Sequence, residues 1–132
     1  MSEVGGRSPR VARLYDSYTD EIVDLSQWAR VSSQAEKESM LRFRRGARFL
    51  LRTTALATDP LDLSKGEVMP MSYRSDGAWI WSDGVAYYLD VYEIAPEPEF
   101  VEHIRSRGYE PHDATDEELD VAYEVLEALR HS

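Results

Sequence analysis

Apolar side chains at Tyr15, Tyr18, Ile22 and Leu25, continued by Trp28 and Ala29, recur at helical spacing. Asp16 or Ser17 stands where an N-cap is needed, so the pattern predicts a helix over about 18–29. Ser33-Gln34-Ala35-Glu36 is a capping-box pattern, and a helix over 34–45 follows it, with Met40 and Phe43 on one face and Gly46 as its stop. Phe49 to Leu56 reads as a buried strand ended by Asp59-Pro60. Asp62 to Gly66 reads as a turn or loop. Val68 to Arg74 reads as a second strand, in which Pro70 marks an edge or a bulge.

Ser75-Asp76-Gly77 carries the Asp-Gly dipeptide of tight hairpins, and Ala78-Trp79-Ile80-Trp81 is the returning strand. Ser82 caps a helix over 83–92 with Val85, Leu89 and Tyr92 on one face. Pro96 and Pro98 break the chain and open a short helix that presents Phe100, Val101 and Ile104 and stops at Gly108. Thr115 to Glu118 is a second capping box, and a last helix over 116–130 follows, with Leu119, Ala122, Tyr123, Leu126 and Leu129 as its buried stripe. The sum is an α+β single domain over residues 11–132, preceded by a flexible tail at 1–10. A small three-stranded, mostly antiparallel sheet is covered by about five helices, because three strands alone bury too little.

Composition narrows the function. The 132 residues fit one domain, and 42% of them are hydrophobic. No cysteine is present, which excludes disulfides, thiolate nucleophiles and Cys-ligated zinc and fits a reducing, cytoplasmic compartment. No apolar run approaches the ~20 residues of a membrane span, and the first ten residues lack a signal-peptide core.

Charge changes the picture most. Residues 1–89 hold twelve acids and twelve bases, whereas residues 90–132 hold thirteen acids and three bases, so the whole net charge of −10 lies in the last third. Such a field repels nucleic acid and anionic membrane and attracts a basic partner. The bland alternative is a solubilising surface.

Candidate chemistry is sparse. No Gly-rich phosphate loop, dinucleotide fingerprint or nucleophile elbow is present. Glu99 and His103, four apart on a helix, make half a metal site at best. The sequence therefore points to no catalytic residue, no metal site and no cofactor. Glu117, Asp120, Glu124 and Glu127 fall opposite the Leu119–Leu126 stripe, in water, where burial tunes no carboxyl for acid–base work. They make either a solvated helix face or an electrostatic docking surface.

Arg42, Arg44, Arg45, Arg48 and Arg52 put five arginines in eleven residues. Arg45, Arg48 and Arg52 are candidates to hold a small anion; the alternative is pairing with the acidic last third. Trp79 and Trp81 share one sheet face. They are either packed under helices or, with Tyr88, exposed aromatic anchors of an interface.

The motifs Asp59-Pro60-Leu61-Asp62-Leu63-Ser64-Lys65-Gly66-Glu67 and Ser75-Asp76-Gly77-Ala78-Trp79-Ile80-Trp81 occur together with Tyr87-Tyr88-Leu89 and Phe100 to Tyr109. In this the stretch from Gly46 to Gly108, about half the chain, resembles a family of small actinobacterial proteins. The resemblance implies a source class and a fold, and no activity. Small acidic proteins of this build are often immunity proteins that neutralise a toxin domain, an implication by analogy.

The leading expectation is therefore a non-enzymatic binding module. It is an immunity- or antitoxin-like inhibitor that meets a basic toxin domain through Glu117, Asp120, Glu124 and Glu127, with Trp79, Trp81 or Tyr88 as contact residues. A domain binding a small anionic ligand at the arginine cluster is the alternative. An enzyme of unrecognised type would need a buried polar cluster, in a deep pocket that holds His103 or two buried carboxylates.

Overall fold

In the computed structural model the described residues are 9–12, 31, 33–59 and 61–130. The helix expected over 18–29 and the tail residues 1–8 lie outside them. Among the described residues the chain forms β1 (Arg10–Val11), α1 (Gln34–Gly46), β2 (Arg48–Leu51) and β3 (Leu56–Thr58), then a 3-10 turn (Leu63–Lys65) and β4 (Glu67–Pro70). It continues with β5 (Tyr73–Ser75), β6 (Trp79–Ser82), α2 (Asp83–Tyr92), α3 (Pro98–Ser106) and α4 (Asp116–Arg130). The α+β class holds, but the sheets differ from the expected three strands. A four-stranded mixed sheet runs β1-β6-β5-β2, and β3 and β4 form a separate two-stranded ribbon.

Strand alternation builds the layers. Along β6, Trp79 and Trp81 point one way and Ile80 the other. The tryptophan face is covered by Met40 and Phe43 of α1, Val85, Tyr88 and Leu89 of α2, and Phe100 and Ile104 of α3. Trp79 stacks on Phe100 with centroids 4.9 Å apart, and Trp81 lies 5.7 Å from Phe43 while its indole N–H donates to the Arg44 carbonyl at 3.2 Å. The opposite face joins Ile80 and Tyr73 to Ala122 and Leu126 of α4, with Val11, Leu50 and Leu51 packed around them. Among the described residues the sheet thus lies between three helices and one.

Arg10, expected at the end of the tail, instead opens β1. β1 runs parallel to β6, with the Arg10 N–H donating to Ala78 O at 3.0 Å and the Ala12 N–H to Ile80 O at 2.7 Å. The Arg10 guanidinium lies over the Trp79 ring at 4.6 Å and pairs with Glu99.

The two long strands expected at 49–56 and 68–74 are each cut in two, and the Ser72 side chain lies between both cuts. The Ser72 hydroxyl accepts from the Thr53 N–H and donates to the Thr53 carbonyl, both at 3.0 Å. It satisfies the backbone groups that a continued ladder would have used. Thr53 Oγ1 in turn accepts from the Ala55 N–H, and Pro70 has no N–H to extend the ladder. Both chains therefore leave the main sheet together and pair again as the ribbon.

The helices begin and end where the local code places them. Ser33 Oγ accepts from the Glu36 N–H at 3.2 Å, and Ser82 Oγ accepts from the Gly84 N–H at 2.9 Å. Gly108, past the end of α3, adopts φ +63°. The α4 stripe is narrower than expected. Ala122 and Leu126 are fully buried and Leu119 is half-buried, but Tyr123 and Leu129 are more than 40% exposed. A single helix laid on a sheet buries the ridge that faces it, and Tyr123 is turned about 100° from Ala122.

Candidate functional site

α4 is held at its start by a complete capping box. Thr115 Oγ1 accepts from the Glu118 N–H at 3.1 Å, and Glu118 Oε1 accepts from the Thr115 N–H at 2.8 Å. That backbone bond, helped by His112 at 3.0 Å, holds the Glu118 carboxyl below its ordinary pKa. Arg48 fastens the same end from β2, donating to Ala114 O at 2.8 Å and pairing with Asp116 at 3.0 Å.

Beyond this anchored turn, Glu117, Asp120 and Glu124 are exposed on one row of the helix, and Glu127, further along it, is half-buried. The rise of the helix spaces the first three about 4.5 and 6 Å apart along its axis. Val121, also exposed, follows Glu117 by four and precedes Glu124 by three, so it lies among them. No cation of the described residues pairs with Glu117, Asp120 or Glu124. Other acids of the last third are already matched: Asp90 with Arg45 at 3.2 Å, Glu93 with Lys37 at 3.5 Å, and Glu99 with Arg10.

The aromatic candidates are not part of this surface. Trp79, Trp81 and Tyr88 are all buried in the larger core. Three helices cover the face they occupy, so they are unavailable as surface contacts of the folded domain.

The arginine cluster is dispersed. Arg45 turns to α2 and Arg48 to α4, on opposite sides of the sheet, while Arg52 lies over the Phe49 ring at 4.8 Å. These three do not converge on one anion. Arg44 is fully buried, with its guanidinium 5.5 Å from the centre of the Phe100 ring.

Among the described residues Asp59, Asp76 and Glu97 are buried carboxylates, and the first two sit in separate networks. Asp76 accepts from the Trp79 and Ala78 N–H groups through Oδ1, at 2.9 and 3.0 Å, and its Oδ2 lies 2.7 Å from His103 Nε2. Burial pushes this carboxyl up, but the His103 contact and the two backbone donors outweigh it and hold the pKa below the ordinary value. Asp59 accepts from the hydroxyls of Tyr87 and Tyr92, each at 2.6 Å, and from the Leu61 N–H at 2.8 Å. Burial again opposes ionisation, and these donors again win. Burial and the Asp59 carboxylate push the Tyr87 hydroxyl up to about 12 and raise that of Tyr92 as well. Both networks tie loops to helices. Among the described residues no three His, Asp or Glu side chains gather in a group able to hold a metal ion.

A cleft of about 230 Å³ opens beside α2, lined by Arg45, Arg74, Asp83 and Asp90 over Pro70 and Ala86. Sequence reasoning named only Arg45 of this set. Asp83 and Asp90, seven apart on one helix, were the available signal that one face carries both.

No family model, no curated protein and no solved structure matches the chain. No helix among the described residues is long and apolar enough to cross a membrane.

Proposed function

We propose that this chain is a non-catalytic, cytoplasmic protein-binding module whose α4 face docks a basic partner, in the manner of an immunity- or antitoxin-like inhibitor covering the cationic cleft of a toxin domain. The observation that carries the reading is the row of Glu117, Asp120 and Glu124. These acids are exposed, adjoin the exposed Val121, and are matched by no cation of the described residues. A partner whose cleft binds a polyanionic substrate presents the complementary charge, and such fields raise association rates by one to three decades at low salt. Val121 supplies apolar contact among the charges, the role first given to Trp79, Trp81 and Tyr88. The buried polar networks of Asp59 and Asp76 are each accounted for by packing, so the reading needs no chemistry from them.

The test is affinity capture from native lysate with the tagged protein and, in parallel, the Glu117→Gln/Asp120→Asn/Glu124→Gln variant. A stoichiometric basic protein retained by the first, released by a salt step and lost by the variant supports the reading. Equal retention by both proteins, or no basic protein at low salt, rejects it.

A further inference from the structure

We propose that the cleft beside α2 is a binding site for a small zwitterion, a free α-amino acid with an apolar side chain. It lies on the tryptophan side of the sheet, opposite α4, and does not depend on the docking surface.

Its walls carry two cations and two anions. Arg74 is largely buried; its Nε donates to Asp83 Oδ1 at 2.8 Å, and its Nη1 donates to the carbonyls of Arg45 and Ala47, both at 2.9 Å. The Phe49 ring backs the guanidinium at 3.9 Å. Three hydrogen bonds and a ring fix this group, yet its Nη2 has no partner among the described residues. Among the described residues Arg45 uses only Nη2, on Asp90 Oδ2 at 3.2 Å, and that pair is about half exposed. Asp83 Oδ2 and Asp90 Oδ1 likewise accept from none of the described residues. The cleft therefore holds unused donors on two guanidiniums and unused acceptors on two carboxylates.

The balance selects the ligand. An anion alone meets Asp83 and Asp90, and a cation alone meets Arg45 and Arg74. Only a molecule carrying both charges close together, as an α-amino acid does on one carbon, satisfies both walls, and like-charge contacts turn the others away. The exposed Arg45–Asp90 pair contributes little as it stands and opens to such a ligand. The volume falls below the ~300–1,000 Å³ of clefts that take drug-sized molecules, which suits a molecule the size of an amino acid. Pro70, Ala86 and Tyr87, whose hydroxyl is taken by Asp59, complete the lining and offer apolar surface to a hydrocarbon side chain.

Three probes of one shape test this on the intact protein by calorimetric titration to millimolar concentration: L-leucine, L-leucinamide, which keeps only the cation, and 4-methylpentanoate, which keeps only the anion. The expected result is saturable binding of leucine at least about tenfold tighter than either analogue. Arg45→Gln and Asp90→Asn, both at the exposed mouth, should each weaken leucine by about tenfold or more while circular dichroism stays unchanged. Absence of leucine binding overturns the proposal. So does equal binding of 4-methylpentanoate, which would make the cleft a plain anion site, and so does leucine binding that survives both substitutions.

Discussion

His103 of α3 meets Asp76 of the β5–β6 turn with 2.7 Å between Nε2 and Oδ2, and the same carboxylate closes the turn through the Ala78 and Trp79 N–H groups. One buried side chain therefore both shapes the hairpin and fastens it to a helix 27 residues away. Removing it leaves two backbone donors and an imidazole without their acceptor in a site closed to water. Asp76→Ala should cost about 3 kcal/mol. Asp76→Asn keeps an acceptor at Oδ1 and should cost clearly less. Urea denaturation of the two variants measures both, and equal losses would mean that the turn does not depend on Oδ1.

Acid should unfold the protein through the same kind of contact. Asp59, Asp76, Glu36 and Glu118 all sit below their ordinary values of 3.8 for Asp and 4.5 for Glu; for Glu36 the cause is the Arg105 hydrogen bond and then that of Tyr109. Unfolding returns each carboxyl to its ordinary affinity for protons, so the unfolded chain binds more of them as pH falls below those values. The stabilisation is fully present above about pH 5 and is lost as pH falls through the lowered pKa values. Denaturation midpoints measured from pH 7 to pH 2 should be flat and then drop.

The alkaline side has the opposite sign. Tyr87 rises from 10.0 to about 12, and Tyr92 is raised too, because burial and then the Asp59 carboxylate disfavour the phenolates. A group with a raised pKa stabilises the fold below its unfolded value and loses that contribution as pH climbs through the folded one. Stability should therefore fall between pH 10 and about 12. In Tyr87→Phe/Tyr92→Phe that alkaline fall should shrink, which ultraviolet titration of the remaining tyrosines alongside thermal melts would show.

Two glycines separate backbone strain from crowding. Gly77 has φ +91°, and a Cβ there would lie 3.0 Å from the Glu118 carboxylate; Gly108 has φ +63° with nothing within 4 Å of that position. Gly108→Ala should cost only the left-handed conformation, about 1 kcal/mol. Gly77→Ala adds displacement of Glu118 from the α4 cap, and should cost about 1 kcal/mol more. Equal melting temperatures for the two variants would show that Glu118 moves aside freely.

How far the sequence could be read follows from how local each signal is. Ser33, Ser82 and Thr115 cap their helices through hydrogen bonds reaching two or three residues, so their spacing alone revealed them. The Asp-Gly turn and the Trp79–Trp81 face were legible for the same reason. The broken strands were not, because Ser72 acts on Thr53, nineteen residues away. Composition could not say that Arg45 and Arg48, three apart, go to opposite sides of a sheet. For the candidate surface, periodicity placed Glu117, Asp120 and Glu124 outward correctly. It also placed Trp79 and Trp81 on one face, but whether helices covered that face depended on tertiary packing.

The acids of α4 offer the sharpest separation of stability from function. Asp120 and Glu124 are like charges four residues apart on an exposed helix, an arrangement that costs about 0.2–0.5 kcal/mol per pair. They lie past the first turn, where the helix dipole no longer favours carboxylates. Asp120→Asn/Glu124→Gln should therefore be as stable as the parent or slightly more so, while Leu126→Ala, at a fully buried position of the same helix, should lose about 2–5 kcal/mol. If the proposed docking surface is right, the charge variant still associates more slowly with its basic partner, and the difference closes at high salt. Chemical denaturation and stopped-flow association read the two effects separately. A variant that loses stability would mean that these carboxylates hold the fold, and α4 would no longer stand as a surface kept for binding.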